Sequence, residues 1–193
     1  FTISESWLDN SVNDLEIEVP DYNLYRIDRQ NKKGGGICAY ISRNYKTELI
    51  RDISHVTSLG FHQLWLKVQV KKLKSFVVCT TYRPPDTPLS CFDVDLAISF
   101  MYVSSLNLPI YILGDLNCNL LDRECQTSKA LSSFYRSFNL SQLITTPTRV
   151  TASSKSLLDV ILVSDMKQVQ KANVMHCSVS DHDLIYVMLR LKK

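Results

Sequence analysis

The chain has 193 residues, 45% of them hydrophobic and 21% charged, with a formal net charge of +3. That length supports one sizeable core but not two comfortable ones, so a single domain over 1–193 is expected, and the ordinary composition excludes disordered, collagen-like and coiled-coil classes. No apolar run approaches the roughly 18 residues of a membrane span and no basic-then-apolar leader opens the chain, which points to an intracellular protein without a membrane partner.

Six cysteines (Cys38, Cys79, Cys91, Cys118, Cys125 and Cys177) include no C-x-x-C pair. Three of them sit in apolar, strand-like runs where a thiol behaves as a small hydrophobe, as expected of a reduced compartment. Cys118, Cys125 and Cys177 with His176 match no standard zinc spacing.

In chain order, Phe1–Ser4 alternates apolar and polar residues as the end of a strand does, with Glu5 at its exit. Residues 9–20 are polar and acidic and predict a loop or short irregular helix, and Tyr22–Arg29 is strand-compatible. Asn31-Lys32-Lys33-Gly34-Gly35-Gly36 reads as a flexible turn opening onto the strand Ile37–Ile41; three of the five glycines stand here, and they form no phosphate-binding loop pattern. Leu64–Tyr82 predicts a hairpin with a basic tip, Lys71 to Lys74, and Tyr82-Arg83-Pro84-Pro85 ends it because prolines cannot donate to a ladder. Ser90-Cys91-Phe92-Asp93 resembles a capping box, and Phe92, Leu96, Phe100 and Val103 share one helical face. The run Pro109–Leu113, ended by Gly114-Asp115-Leu116-Asn117, predicts a buried strand delivering an acid and an amide to the mouth of a sheet. The helix thus lies between two strands. A second helix is expected over 128–138, then a strand over Leu157–Val163 and two more near Ala172–Cys177 and Ile185–Leu191.

Acids, amides or a histidine therefore stand at the ends of four strands: Glu5, Asp115 with Asn117, Asp159, and Asp181 with His182. Phosphodiester hydrolysis needs such a set. Water must be deprotonated or oriented, charge on the phosphoryl oxygens must be stabilised, and magnesium needs only one or two carboxylates because it keeps several of its waters. Glu5 and Asp181 can serve as the metal carboxylates, Asp115 and Asn117 can handle the water, and His182 can donate to a phosphoryl oxygen with Asp159 behind it. The basic hairpin tip, including Lys72 and Lys74, fits either a solvated hairpin whose lysines protect its edge or a tip that contacts phosphate.

Ser4-Glu5-Ser6-Trp7-Leu8, Tyr82-Arg83-Pro84-Pro85, Gly114-Asp115-Leu116-Asn117, Leu158-Asp159-Val160-Ile161-Leu162 and Ser180-Asp181-His182, in this order, resemble the endonuclease/exonuclease/phosphatase superfamily. More narrowly they are similar to the apurinic-endonuclease-like domain that precedes the reverse transcriptase in jockey- and LINE-type non-LTR retrotransposon proteins. The resemblance implies an α/β (α+β) fold, DNase I-like, a four-layer sandwich of two facing mixed sheets flanked by helices. It implies a magnesium-dependent endonuclease, with manganese as a substitute, that nicks double-stranded DNA to leave a 3′-hydroxyl for reverse transcription. The partners implied are the target DNA, the element RNA and a reverse transcriptase domain, and the place of action is the nucleus.

Motif by motif, the resemblance makes Glu5 the metal ligand, Tyr82 a phosphate contact, Asp115 and Asn117 the residues at the attacking water, and Asp159 and His182 a hydrogen-bonded pair. It puts Ser180 and Asp181 on the metal side, and Thr148, Arg149 and Arg83 against the substrate. The family carries an asparagine on a strand before the glutamate, so a domain lacking its first strand, with an exposed edge and lowered stability, is expected here. Two other functions fit the same residues: a degenerate nuclease-like fragment that binds DNA without cleaving it, and a phosphodiesterase or phosphatase of the same superfamily.

Overall fold

A computed structural model describes residues 1–29 and 33–191; Asn31 and Lys32, read as part of the flexible turn, lie outside the described residues. A three-stranded antiparallel sheet is formed by β1 (Thr2–Ser4), β2 (Tyr22–Ile27) and β3 (Ile37–Ser42), with β3 in the middle. The larger, mixed sheet contains β4 (Lys46–Leu49), β5 (His55–Val56), β6 (His62–Gln69), β7 (Phe76–Tyr82), β8 (Ile110–Asp115), β9 (Ser141–Gln142) and β12 (Asp159–Val163). Its order is β4-β6-β7-β8-β12-β9, with β5 also on β6. Two short hairpins complete the strands: β10 (Arg149–Val150) with β11 (Lys155–Ser156), and β13 (Val169–Met175) with β14 (Leu184–Leu189).

The expected hairpin is β6–β7, and β7 pairs with β8 in parallel, which requires a crossover. The crossover contains a wide π-helical turn over Phe92–Leu96 running into α1 (Ala97–Ser104). Its start differs from the capping box read from the sequence: the Ser90 carbonyl, not a side chain, takes the Asp93 and Val94 amides. The second helix, α2, spans Gln126–Ser137.

Alternation along the strands of the large sheet separates two cores. Trp65, Val77, Cys79, Ile110 and Ile112 face the helices and pack with Phe92, Phe100, Leu131 and Phe134. Leu64, Leu66, Val68 and Tyr82 point the other way, against Ile37 and Ala39 of the small sheet. That arrangement is an α+β sandwich, with sheets face to face and α1 and α2 on one outer side. The outer side of the small sheet is covered by the irregular segment 9–18, with one 3-10 turn over Asp14–Ile17. Arg26 clamps it through the Asp9 and Val12 carbonyls, and the Tyr40 hydroxyl donates to the Ile17 carbonyl. Among the described residues β1 pairs with β3 alone and β14 with β13 alone. All six cysteines are free thiols, and no described helix is long and apolar enough to cross a membrane.

Candidate active site

Register builds the site. Tyr82 is paired with Asp115 in the parallel β7–β8 ladder, and Asp115 with Asp159 in the antiparallel β8–β12 ladder. Directly paired residues point to the same face of a sheet, so three adjacent strands end in a row of one phenol and two carboxylates. That row looks into a cleft of about 850 Å³ between the large sheet, β1 and β14. The strands can approach this closely because residue 114 is glycine: a Cβ there would lie 1.8 Å from the Thr81 carbonyl oxygen.

His182 comes to the row from the loop before β14, and its Nδ1 lies 2.8 Å from Asp159 Oδ2. Both are partly shielded from water. The carboxylate favours the protonated ring and raises the imidazole pKa, against the opposing effect of burial. Asp115 is 6% exposed. Its burial, reinforced by the Asp159 charge, pushes the carboxyl from 3.8 up to about 7, although the Asn117 amide and His182 favour its anion. The Asp115 carboxyl can therefore accept or release a proton near neutrality. Tyr82 is buried beside Glu5; burial first, then the Glu5 and Asp115 charges, raise its phenol well above the ordinary range. It remains a neutral donor.

Donor atoms of Asp115, Asp159 and His182 all lie within 4.8 Å of one another. Two carboxylates, facing a cleft that Glu5 also lines, fit a divalent cation, with the His182 ring beside them. The fit has an electrostatic basis, because positive charge there would relieve the repulsion and desolvation that disfavour the Asp115 anion.

Three connections hold the row in place, and sequence reading assigned none of them. Ser4 Oγ donates to the Thr81 carbonyl at 3.0 Å and accepts from the Asp115 amide at 3.2 Å, pinning β1 across β7 and β8. Arg83 touches three consecutive residues: its amide donates to the Asp115 carbonyl, its guanidinium to the Leu116 carbonyl, and its own carbonyl accepts from Asn117 Nδ2 at 3.0 Å. Thr148 Oγ1 accepts from the Leu158 and Asp159 amides at 3.1 and 3.2 Å. The polarity of Ser4 at a strand end was the only sequence signal for the first; the other two depend on contacts between residues far apart in the chain.

These contacts change several sequence expectations. Arg83 is 3% exposed and also donates to the Thr87 carbonyl, so its guanidinium, expected against the substrate, supports the Asp115–Asn117 loop from inside. Thr148 is fully buried, and its hydroxyl organises the start of β12 where a phosphate contact was expected. Asp181 points to Arg149, with both Arg149 Nε and Nη2 at 2.8 Å from its Oδ2, and stands outside the Asp115–Asp159–His182 trio, so the expected metal ligand is a rim ion pair. Ser180 is exposed at the cleft, and its Oγ accepts from the His182 amide at 3.1 Å. Lys72 and Lys74 are exposed at the hairpin tip beyond Gln69 and Phe76, whereas Tyr82 marks the opposite end of β7. Six residues of strand, about 20 Å, separate them from the site. Asn117, with φ 47°, lies beside Asp115, and its amide donates to the Asp115 carboxylate at 2.9 Å.

Comparison with known proteins places this geometry. A family model described as endonuclease-reverse transcriptase matches residues 76–186, more than half of the chain. None of the curated proteins matches the sequence. Among solved structures, the endonuclease domain of TRAS1, a telomere-specific non-LTR retrotransposon, is 15% identical with a TM-score of 0.74, covering 91% of this chain and 83% of that one. The mannosyl-6-phosphatase Bt3783 of Bacteroides thetaiotaomicron is 16% identical with a TM-score of 0.66, covering 98% and 84%. The human Nocturnin catalytic domain is 16% identical with a TM-score of 0.64, covering 99% and 80%. At these identities the likeness establishes the DNase I-like fold. The chain belongs to the endonuclease-reverse transcriptase family, within the endonuclease/exonuclease/phosphatase superfamily.

Proposed function

We propose that the chain is a divalent-metal-dependent DNA endonuclease that nicks one strand of a double-stranded target and leaves a 3′-hydroxyl from which a reverse transcriptase copies the element RNA. The observation that carries this reading is the Tyr82–Asp115–Asp159 row capped by His182. Glu5, Asp115 and Asp159 are the groups that would hold the cation, magnesium or manganese. Bound there, it supplies Lewis acidity to the phosphoryl oxygens and helps the leaving oxygen.

The residues of the chain account for the rest. Asp115, with its carboxyl near 7, accepts a proton from the attacking water. Asn117 holds that carboxylate in place through its amide. His182, kept protonated by Asp159, donates to a phosphoryl oxygen, and the neutral Tyr82 phenol donates to another. The water oxygen bonds to phosphorus, the bond from phosphorus to the 3′ oxygen breaks, and that oxygen takes a proton from solvent water, leaving a 3′-hydroxyl and a 5′-phosphate. Arg149 and Ser180 at the rim, and Lys72 and Lys74 further away, contribute backbone contacts to the duplex. A chromosomal target places the activity in the nucleus.

Supercoiled plasmid incubated with the chain should give nicked circles with magnesium, and none with a chelator or with Asp115→Ala or His182→Ala. Phosphate release from sugar or nucleotide phosphomonoesters without plasmid nicking would replace this reading with a phosphatase.

A further inference from the structure

Trp7 stands at the mouth of the cleft, two residues after Glu5, and is 48% exposed. Its backbone is in the left-handed region at φ 60°, as is that of Glu5 at φ 57°. Such a conformation is strained and persists only where its surroundings enforce it. Here the Ser6 amide donates to the Gly36 carbonyl at 3.0 Å and the Trp7 amide to the Gly35 carbonyl at 2.9 Å. The glycines leave room for this: a Cβ on Gly36 would approach Ser6 Oγ to 2.7 Å, and one on Gly34 would sit 3.0 Å from Glu5 Oε1 and 3.9 Å from the indole. The same turn that aims Glu5 at the site therefore props a large aromatic ring outside the core.

The ring has a cationic neighbour. The Arg29 guanidinium carbon lies 6.0 Å from the indole centroid, and Asp9 holds its Nη2 at 2.7 Å. An indole backed by a guanidinium and left half open beside a phosphodiester-cleaving row matches the platforms on which nucleobases stack. Neither Trp7 nor Arg29 takes part in the row itself.

We infer that Trp7, supported by Arg29, stacks on an unpaired or unstacked nucleobase next to the scissile phosphate, so that the protein prefers strand positions where a base has left the helix. This rests on the endonuclease reading, and fluorescence separates the two. The chain has two tryptophans, and Trp65 is fully buried in the core, so a ligand at the cleft changes emission through Trp7.

The measurement is titration of the full chain, in a chelator to prevent cleavage, with fluorescein-labelled duplexes that are matched or carry one unpaired base. Anisotropy reads binding with the labelled duplexes and tryptophan emission is followed with unlabelled ones. Binding to the unpaired-base duplex roughly tenfold tighter than to the matched one is expected, together with quenching of the Trp7 emission. Trp7→Ala should abolish the preference, and Trp7→Phe should keep much of it. Binding without quenching, or a preference that survives Trp7→Ala, overturns the stacking role and leaves the nuclease intact. Quenching and preference without plasmid nicking in magnesium overturn the nuclease and leave the base platform. No binding to either duplex overturns both.

Discussion

The strand-end row and the rim of the cleft both carry carboxylates and hold them by different means. In the row, Tyr82, Asp115 and Asp159 are fixed by two hydrogen-bonded ladders, and Asp115 sits where water is scarce enough for the Asp159 charge to raise its pKa. At the rim, Arg149 and Asp181 form an ion pair with side chains 44% and 57% exposed, a kind of pair worth roughly 0–1 kcal/mol. Position in a sheet sets geometry to within a fraction of an ångström; position in a loop sets only proximity. Substitutions in the row should therefore be severe and specific, and those at the rim graded and additive.

The largest effect should come from removing the carboxylate at the centre of the row. Asp115→Asn is expected to lower plasmid nicking by at least about a thousandfold while raising thermal stability at neutral pH. The folded carboxyl titrates at about 7 against 3.8 unfolded, so between those values the native state binds more protons than the unfolded one and stability falls as pH rises. In chelator, the stability advantage of Asp115→Asn over the native protein should grow by roughly 2–4 kcal/mol from about pH 4 to about pH 7. A divalent cation should recover part of that difference for the native protein alone. Thermal unfolding of both proteins across pH, with and without magnesium, checks this; a pH-independent difference would show that Asp115 is not held near neutrality by its surroundings.

Gly114→Ala comes next, because it attacks the ladder that builds the row. The added Cβ meets a backbone oxygen at 1.8 Å, and backbone cannot yield as a side-chain tip can, so β7 and β8 must separate. A loss of roughly 3 kcal/mol or more is expected in urea unfolding. Arg83→Met should cost about 1–3 kcal/mol by leaving the Leu116 and Thr87 carbonyls without their donor, and reduce the nicking rate more than DNA affinity, since the loop it supports carries Asp115 and Asn117. A drop in affinity with the rate unchanged would instead put Arg83 on the substrate.

The smallest effects belong to the periphery. Thr148→Val should lower stability by about 1–2 kcal/mol, with little change in salt-dependent DNA binding. Lys72→Ala with Lys74→Ala should leave the nicking rate at saturating DNA within about twofold and reduce the slope of binding against salt by up to about two phosphate contacts. A rate collapse in that pair would mean that the far end of β7 governs the chemistry, contrary to the distinction between row and rim.

Much of the fold was legible because it is written in local pattern. Alternation marked β6 and β7, the apolar run before Gly114 marked β8, and the helical faces of Phe92, Leu96, Phe100 and Val103 and of Leu131 and Phe134 are buried. The pairing of Asp159 with His182 was also expected, from the resemblance. Partners for Arg83 and Thr148 were not legible. An Arg before two prolines and a Thr in a loop look exposed by local rules, and only distant backbone groups closing over them make them interior residues.

The sequence by itself determined which residue types stand at which strand ends, since hydrophobic period and turn chemistry are properties of short segments. The tertiary structure alone decided which of those ends meet. Parallel pairing of β7 with β8 and antiparallel pairing of β8 with β12 bring residues 82, 115 and 159 into one row, while the Arg149 ion pair holds Asp181 at the rim. The physical reason is that ladder register, burial and mutual charge arise only between segments far apart in the chain, and it is these that raise the pKa of Asp115 and orient His182.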